Sequence, residues 1–403
     1  MSSKKMKKYV VVVKEGFNPN SGKDFAMENQ DNANQLSFTP LYENDVQNSS
    51  IAFSEKVLGD NEKRLNALVD EMKRTYTFVI DKRRANEFVR MLKGSNLIER
   101  IEEDSESYQC ATSKDTFFDK LHGLKKIQVE NVWDLGFKGQ EVVVAVIDSG
   151  IDVGHPDLVD RLLKDDKGNI VGFNVIDQTT NLKDESNHGT HVAGIIAATC
   201  NNGIGVCGVA PECKIMPIKA LSGPNGRGSN LDLASAIRLA VDKGAKVINN
   251  SWEPGRHTEI EKAIEYAFLR NVLVVFAAGN DNREVVSQDA AGNPLVISVA
   301  ASDDKDERAG FTNFGSLVTV SAPGVNILST STLAKRYKSL TGTSMAAPHV
   351  AGLAALVLCK NNTLKPNEVK DLISQNCDTF NPLPTTPVGA GRVNAEKTVG
   401  AIP

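Results

Sequence analysis

Cysteine is sparse in this 403-residue chain, with six residues at positions 110, 200, 207, 213, 359 and 377. None falls in a C-x-x-C pair, so the pattern offers neither a zinc site nor a thioredoxin-type redox motif. A charge excess of one sign is missing too. With 46 Lys and Arg against 50 Asp and Glu, the net charge is -4. That gives no reason to expect nucleic acid or an acidic membrane as a partner. Aromatic residues make up only 6%, yet hydrophobic residues reach 41%, enough for a globular core and, at this length, for two domains. Apolar runs such as Val142–Ile147 are strand length, far short of the roughly 20 residues a membrane helix needs. The start of the chain is basic, but only Tyr9–Val13 follows before Lys14 and Glu15. That is too short for the apolar region of a secretory signal. The expectation is a cytoplasmic protein whose cysteines are buried free thiols.

Residues 7–15 read as a β-branched strand. From Phe17 to about Ser50 the chain is rich in Asn, Ser, Asp and Gln and lacks periodicity, so residues 17–50 read as a polar, flexible insertion. Leu65, Leu68, Val69 and Met72 fall at i, i+3, i+4 and i+7 and predict an amphipathic helix. Thr75–Ile80 predicts a strand. Asp81 can cap a second helix carrying Ala85, Phe88, Val89 and Leu92, which Gly94 ends. Leu97–Ile101 predicts a short strand running into Glu102-Glu103-Asp104. These elements make a small α+β domain over residues 1–110, followed by a linker over 111–120. From there to residue 403 the pattern changes. Apolar strands (Val142–Ile147, Lys214–Ile218, Val247–Asn249, Val272–Ala277) alternate with helical runs (His191–Ala198, Leu231–Asp242, Glu259–Leu269). Such alternation predicts an α/β domain, a doubly wound and mostly parallel sheet covered on both faces. Its site lies at the carboxyl ends of the strands.

Four residues there carry chemistry. Ser344, in Gly342-Thr343-Ser344-Met345-Ala346-Ala347-Pro348-His349, precedes the apolar run Val350–Leu358. A serine at a loop-to-helix junction has backbone N–H groups and a helix dipole beside it, which suits an acyl-transfer nucleophile; equally, it suits a helix cap. Asp148 ends the strand Val142–Ile147 and is either a catalytic carboxylate or an ordinary Asp-Ser-Gly turn. His188, in His188-Gly189-Thr190-His191, lacks the Glu and the spacing of a zinc-binding helix and fits a general base better, with His191 packed inside. Asn280 ends another strand and is either a donor to a developing oxyanion or a Gly-Asn turn.

In the order Asp148, His188, Asn280, Ser344, these motifs resemble the subtilisin family of serine proteases over roughly Ile127 to Val393. The resemblance implies an endopeptidase. Ser344 would attack the peptide carbonyl, His188 would take and return its proton, and Asp148 would orient His188. Asn280 and the Ser344 N–H would form the oxyanion hole. Pro348 looks like the family's helix-start proline. Thr75–Asp104 resembles the family's inhibitory propeptide, which implies a self-processing zymogen cut near Cys110–Ala111 and inhibited by its own N-terminal domain.

By the same resemblance, an extended polypeptide substrate would pair with the segment holding Gly226, Gly228 and Ser229. Its side chain before the cut would lie between Ser251-Trp252-Glu253 and Ala278-Gly279. Here the chain departs from the family's glycines. Trp252 would be an apolar wall, and Glu253, Asp281 and Asp289 would favour a basic residue, unless these are solvated rim charges. A structural calcium ion is implied on Asp157, Asn202 and the carbonyls of Cys200, Ile204 and Val206, with Thr112, Asp115 or Asp119 as a further ligand. The function expected is general proteolysis or processing of one peptide or protein. The reading from another class is a catalytically silent binding protein on this scaffold.

Overall fold

A computed structural model describes residues 6–14, 39–40, 75–81, 86, 89–90, 92–94, 98–103, 114–253, 257–380 and 386–402. The chain divides into two compact units, Met1–Gln109 and Cys110–Pro403. The first unit holds a sheet of strands β1 (Met6–Val13), β2 (Thr39–Pro40), β3 (Thr75–Asp81) and β4 (Ile98–Glu103) in the order β2-β3-β1-β4. β1 runs antiparallel to both of its neighbours. Its Val11, Val12 and Val13 are buried, as is Leu92 in the helical stretch between β3 and β4. β2 sits inside the stretch read as a polar insertion and pairs with Tyr76 and Thr77. The helix expected at 65–72 and the expected cut at Cys110–Ala111 fall outside the described residues, as does Thr112.

The second unit is built on seven parallel strands. They are β5 (Val143–Asp148), β6 (Phe173–Asn174), β7 (Lys214–Lys219), β8 (Val247–Asn250), β9 (Leu273–Ala277), β10 (Val296–Ser302) and β11 (Val320–Pro323). Their order is β11-β10-β9-β8-β5-β7-β6. The reason β5 is apolar throughout is visible in its packing. Val144 and Val146 enter one core, with helices α1 (His188–Ala197) and α4 (Thr343–Lys360). Ala145 and Ile147 enter the other, with α2 (Asn230–Asp242) and α3 (Thr258–Leu269). Both faces of the strand are covered, so the period of two that marks a half-exposed strand is lost.

Two differences from the sequence reading concern boundaries. Residues 114–120, read as linker, are folded onto this unit: Phe118 is buried in the core and the Phe117 N–H donates to the Gly205 carbonyl at 2.8 Å. α4 begins at Thr343, before Ser344, and is long and apolar enough to match a membrane span, yet 83% of it is buried inside the fold. The core, rather than lipid, explains its composition. β5, β8 and β9 are central strands that end at Asp148, Asn250 and Ala277, so the residues singled out from sequence gather at the carboxyl ends of the strands.

Candidate active site

β5 delivers Asp148 at its carboxyl end almost fully buried. His188 Nδ1 lies 2.9 Å from its Oδ1 and 3.0 Å from its Oδ2. The Ser149 backbone N–H adds a 2.7 Å bond to Oδ1. An ionised carboxylate only accepts, so Nδ1 carries the ring proton and Nε2 keeps a lone pair. Burial pulls the His188 pKa down, but the Asp148 charge, its hydrogen bond and the Asp184 charge outweigh this and raise it above the ordinary value.

Asp184 builds the turn that carries His188. Its Oδ1 accepts from the backbone N–H groups of Ser186 and Asn187 and from the Ser149 hydroxyl. Its Oδ2 accepts from the Thr190 N–H at 2.9 Å and the Thr190 hydroxyl at 2.7 Å. The other open donors of the first helical turn go to hydroxyls, the His188 N–H to Ser186 Oγ at 3.2 Å and the Gly189 N–H to Ser149 Oγ at 3.0 Å. Gly189 is required here. A β-carbon at that position would collide with the Gly150 carbonyl and sit 3.0 Å from Asp148 Cβ, so only glycine lets α1 start this close to the carboxylate. His191 turns inward and meets the Lys338 carbonyl at 2.9 Å; burial holds its pKa down to about 4, so it is a neutral core group.

Ser344 is the second residue of the 18-residue α4. Its hydroxyl donates to the Ser251 carbonyl at 3.0 Å, and the Ser251 hydroxyl donates back to the Ser344 carbonyl at 2.9 Å. The second bond accounts for Pro348. Read from sequence as a helix-start proline, it stands instead at the sixth helical position. There it removes the N–H that would have bonded the Ser344 carbonyl four residues back. The Ser251 hydroxyl replaces that donor. Among the described residues no hydrogen bond joins Ser344 to His188, and such bonds often tighten only when substrate is present.

Asn280 Oδ1 accepts from the Thr343 N–H at 2.9 Å and from the Thr343 hydroxyl at 3.0 Å. A backbone N–H can only donate, so the amide oxygen is fixed on Thr343 and Nδ2 must face the other way. The spot a β-carbon of Gly342 would occupy is 3.8 Å from Asn280 Nδ2 and 3.7 Å from Ser344 N. The same spot is 3.7 Å from Asn280 Oδ1, so the Asn280 amide and the Ser344 N–H lie side by side next to the serine.

The substrate-binding residues expected from sequence divide in two. Ser222 and Arg227 exchange backbone bonds of 2.8 and 2.9 Å, closing a turn around Gly226, and Gly228 and Ser229 follow with exposed backbone. The Ser229 side chain is committed to capping α2 through the Asp232 N–H. Trp252 does not form the expected wall. Its ring is buried edge-on against Phe276 at 5.0 Å and its N–H donates to the Ile147 carbonyl at 2.9 Å, because the residue after Ser251 faces the core beneath the carboxyl ends of the strands. Ala278 is buried as well, with its N–H on the Val299 carbonyl and its own carbonyl on Asn313 Nδ2. Glu253 and Asn280 are exposed, while Gly279 is buried between Ala278 and Asn280.

The residues expected to bind calcium lie on the loop after α1 and, with Asp157, on a segment ahead of it. Asp157 is fully buried, and its oxygens accept from Asn202 Nδ2 at 2.8 Å and the Val206 N–H at 3.0 Å. Asp115, also buried, accepts from the Asn201 N–H at 2.8 Å and the Gly203 N–H at 3.0 Å. Asp119 is exposed beside Lys125, so of the sequence alternatives among the described residues Asp115 is the one at the loop. Burial raises the Asp157 pKa against the hydrogen bonds of Asn202, Val206 and Tyr337. The carbonyls of Gly203 and Gly205 are taken by Thr116 and Phe117. Among the described residues none takes the carbonyls of Cys200, Ile204 or Val206. The carboxylates of Asp115 and Asp157 and these carbonyls are hard oxygen donors of the kind calcium takes, while Asn202 turns its Nδ2 to Asp157 and its Oδ1 to the Ile204 N–H at 3.0 Å.

The cysteines depart from expectation. Cys200 and Cys207 form a disulfide across this loop, with Cα atoms 4.7 Å apart, while Cys213, Cys359 and Cys377 are free. A loop that returns to its starting point brings its two ends within bonding range. The sulfurs are therefore no ligands, and Cys200 can contribute only its carbonyl.

Sequence reasoning missed several supporting groups: Asp184, Ser149, Thr343, Ser251 as a partner of Ser344, and Arg283. Only Asp184, at the Asx-rich turn ahead of a helix, left a readable signal.

A sequence profile described as the subtilase family matches residues 139–391. The chain is 39% identical over 317 residues to a "thermophilic serine proteinase" of Bacillus sp. (strain AK1), covering 77% of this chain and 75% of that protein. It is 34% identical to thermitase of Thermoactinomyces vulgaris, over 72% of this chain and 99% of thermitase. Among solved structures, a protease from Pseudoalteromonas arctica PAMC 21717 superposes with a TM-score of 0.65 at 30% identity, covering 72% of this chain and 99% of its own.

Proposed function

This chain belongs to the subtilase family and is a serine endopeptidase, and on that premise we propose that Asp148, His188 and Ser344 are its catalytic triad. Ser344 Oγ attacks the peptide carbonyl carbon while its proton passes to His188 Nε2. The carbonyl electron pair moves onto oxygen, which lies between Asn280 Nδ2 and the Ser344 N–H. Collapse breaks the C–N bond, and His188 gives its proton to the departing amine. Water then cleaves the acyl-enzyme by the same sequence. The observation that carries this reading is the contact of His188 Nδ1 with both Asp148 oxygens, at 2.9 and 3.0 Å, since a merely turn-forming Asp has no need of an imidazole on its carboxylate. Labelling by a serine-directed fluorophosphonate, lost in Ser344→Ala, tests it. A wild-type chain that takes no label would support the silent binding protein instead.

The first unit, residues 1–109, is read as an inhibitory propeptide. Its support is its separateness as a compact unit with its own sheet, and the acidic end of β4 a few residues before the boundary. On this reading the chain cuts itself near Cys110–Ala111. Broad proteolysis is favoured over processing of one protein by the exposed backbone at Gly228, which pairs with any extended polypeptide.

A structural calcium ion would be held by Asp115, Asp157, Asn202 and the carbonyls of Cys200, Ile204 and Val206. It would tie the loop to the segment ahead of the core and neutralise two buried carboxylates. Chelation is expected to lower stability by about 3 kcal/mol if the ion is present at 100 times its Kd. For a unit of this size that is a Tm decrease of roughly 5–10 °C. Calorimetry with and without chelator checks this, and Asp157→Asn should remove the difference.

A further inference from the structure

The space between the Ser251–Glu253 segment and the Ala278–Asn280 segment is not an apolar slot. Glu253 reaches across it: a β-carbon on Gly279 would meet Glu253 Oε2 at 2.6 Å. Gly279 also has φ of +103°, a conformation that disfavours any side chain. The carboxylate thus lies one residue from Asn280 and two from Ser251, whose carbonyl holds the Ser344 hydroxyl.

The charge around it is unbalanced. Arg283 grips Asp289 with two bonds, Nη1 to Oδ2 at 2.7 Å and Nη2 to Oδ1 at 3.1 Å. It also bonds Glu253 Oε1 through Nη2, and its Nε lies 3.6 Å from Asp281. One guanidinium therefore faces three carboxylates, and two negative charges are left over. Its donors are spent within the cluster, with the Glu284 carbonyl taking another bond from Nη1. Asn313 Nδ2 donates to Glu253 Oε1 at 3.4 Å and to the Ala278 carbonyl at 2.9 Å. Glu253 Oε2 has no hydrogen-bond partner among the described residues.

Building on the protease reading above, we propose that Glu253 is a specificity-determining residue and selects a substrate whose side chain on the acyl side of the cut ends in a cation. Arg283 and Asn313 position Oε1, and Oε2 is the oxygen that meets the substrate ammonium or guanidinium. Deep aromatic residues are excluded by the carboxylate that crosses the space, and acidic ones by the surplus negative charge.

The test is a peptide series differing only at that position (Lys, Arg, Leu, Glu), cleaved by the mature enzyme. Wild type is expected to favour Lys and Arg over Leu by about tenfold in kcat/KM, the order of discrimination a partly screened charge pair supplies. In Glu253→Gln the Lys-to-Leu ratio should fall close to one. A readout on wild type guards against a misfolded variant. Burial raises the Glu253 pKa, Arg283 lowers it, and Asp281 and Asp289 raise it further, so the ratio should fall as pH drops through this raised value. His188 titration affects both peptides alike and cancels. An enzyme that takes the fluorophosphonate label but cleaves all four peptides equally overturns the Glu253 assignment and leaves the protease reading standing. A ratio that Glu253→Gln leaves unchanged overturns it also. A chain that neither takes the label nor cleaves any of the peptides overturns both.

Discussion

Ser344→Ala is expected to lower kcat by about 10⁶, the loss that follows when the nucleophile of a subtilisin is removed. It should also leave the purified chain at its full 43.5 kDa. The size of the effect follows from what alanine leaves behind. The proposed oxyanion donors, Asn280 Nδ2 and the residue-344 N–H, survive, and so does the Asp148–His188 pair. With no Oγ to carry the acyl group, the reaction must proceed by direct attack of water, and the residual rate is what binding and oxyanion stabilisation alone provide. The fold should tolerate the change, because the Ser344 carbonyl keeps its bond from the Ser251 hydroxyl. Intact-mass measurement separates the two consequences. A wild type that shortens by roughly its first 110 residues, beside a variant that does not, assigns the cut to the chain's own serine and locates it. A variant that still shortens removes self-processing from the account.

Much of this was legible in the sequence, because the reacting groups sit at the ends of strands and the starts of helices, where local pattern is strong. Asp148 closes an apolar run and Ser344 opens one. What was not legible is long-range. Pro348 read as a helix-start residue because the sequence does not reveal that Ser251, 93 positions away from Ser344, supplies the bond the proline removes. Trp252 read as a wall because one residue's offset decides whether a side chain faces the cleft or the core. Cys200 and Cys207 read as free thiols because the assumed compartment governed the expectation, whereas a loop returning after seven positions brings them together. Arg283 carried no motif at all. Its meaning comes from three carboxylates that reach it from Glu253, Asp281 and Asp289.

Asp148→Asn should reduce kcat by about 10⁴, nearly 5.5 kcal/mol of barrier, with little change in geometry. The carboxylate accepts the Nδ1 proton with both oxygens, at 2.9 and 3.0 Å. An amide in its place has only one acceptor oxygen, and the Ser149 N–H at 2.7 Å already claims one position. A backbone N–H must donate, so the new amide oxygen settles on Ser149 and its NH₂ turns toward His188. The imidazole can then accept at Nδ1 only by carrying its proton on Nε2, the atom that must receive the proton of Ser344. The pH profile distinguishes this from simple damage. In wild type, burial lowers the His188 pKa but Asp148 and Asp184 raise it above the ordinary value, so activity rises with pH through that raised pKa as the imidazolium loses its proton. Removing the Asp148 charge leaves burial opposed only by Asp184, and the acidic limb should move to lower pH as the plateau falls. A lower plateau with an unmoved limb would mean that Asp148 does not set the charge on His188, and its place in the triad would be lost.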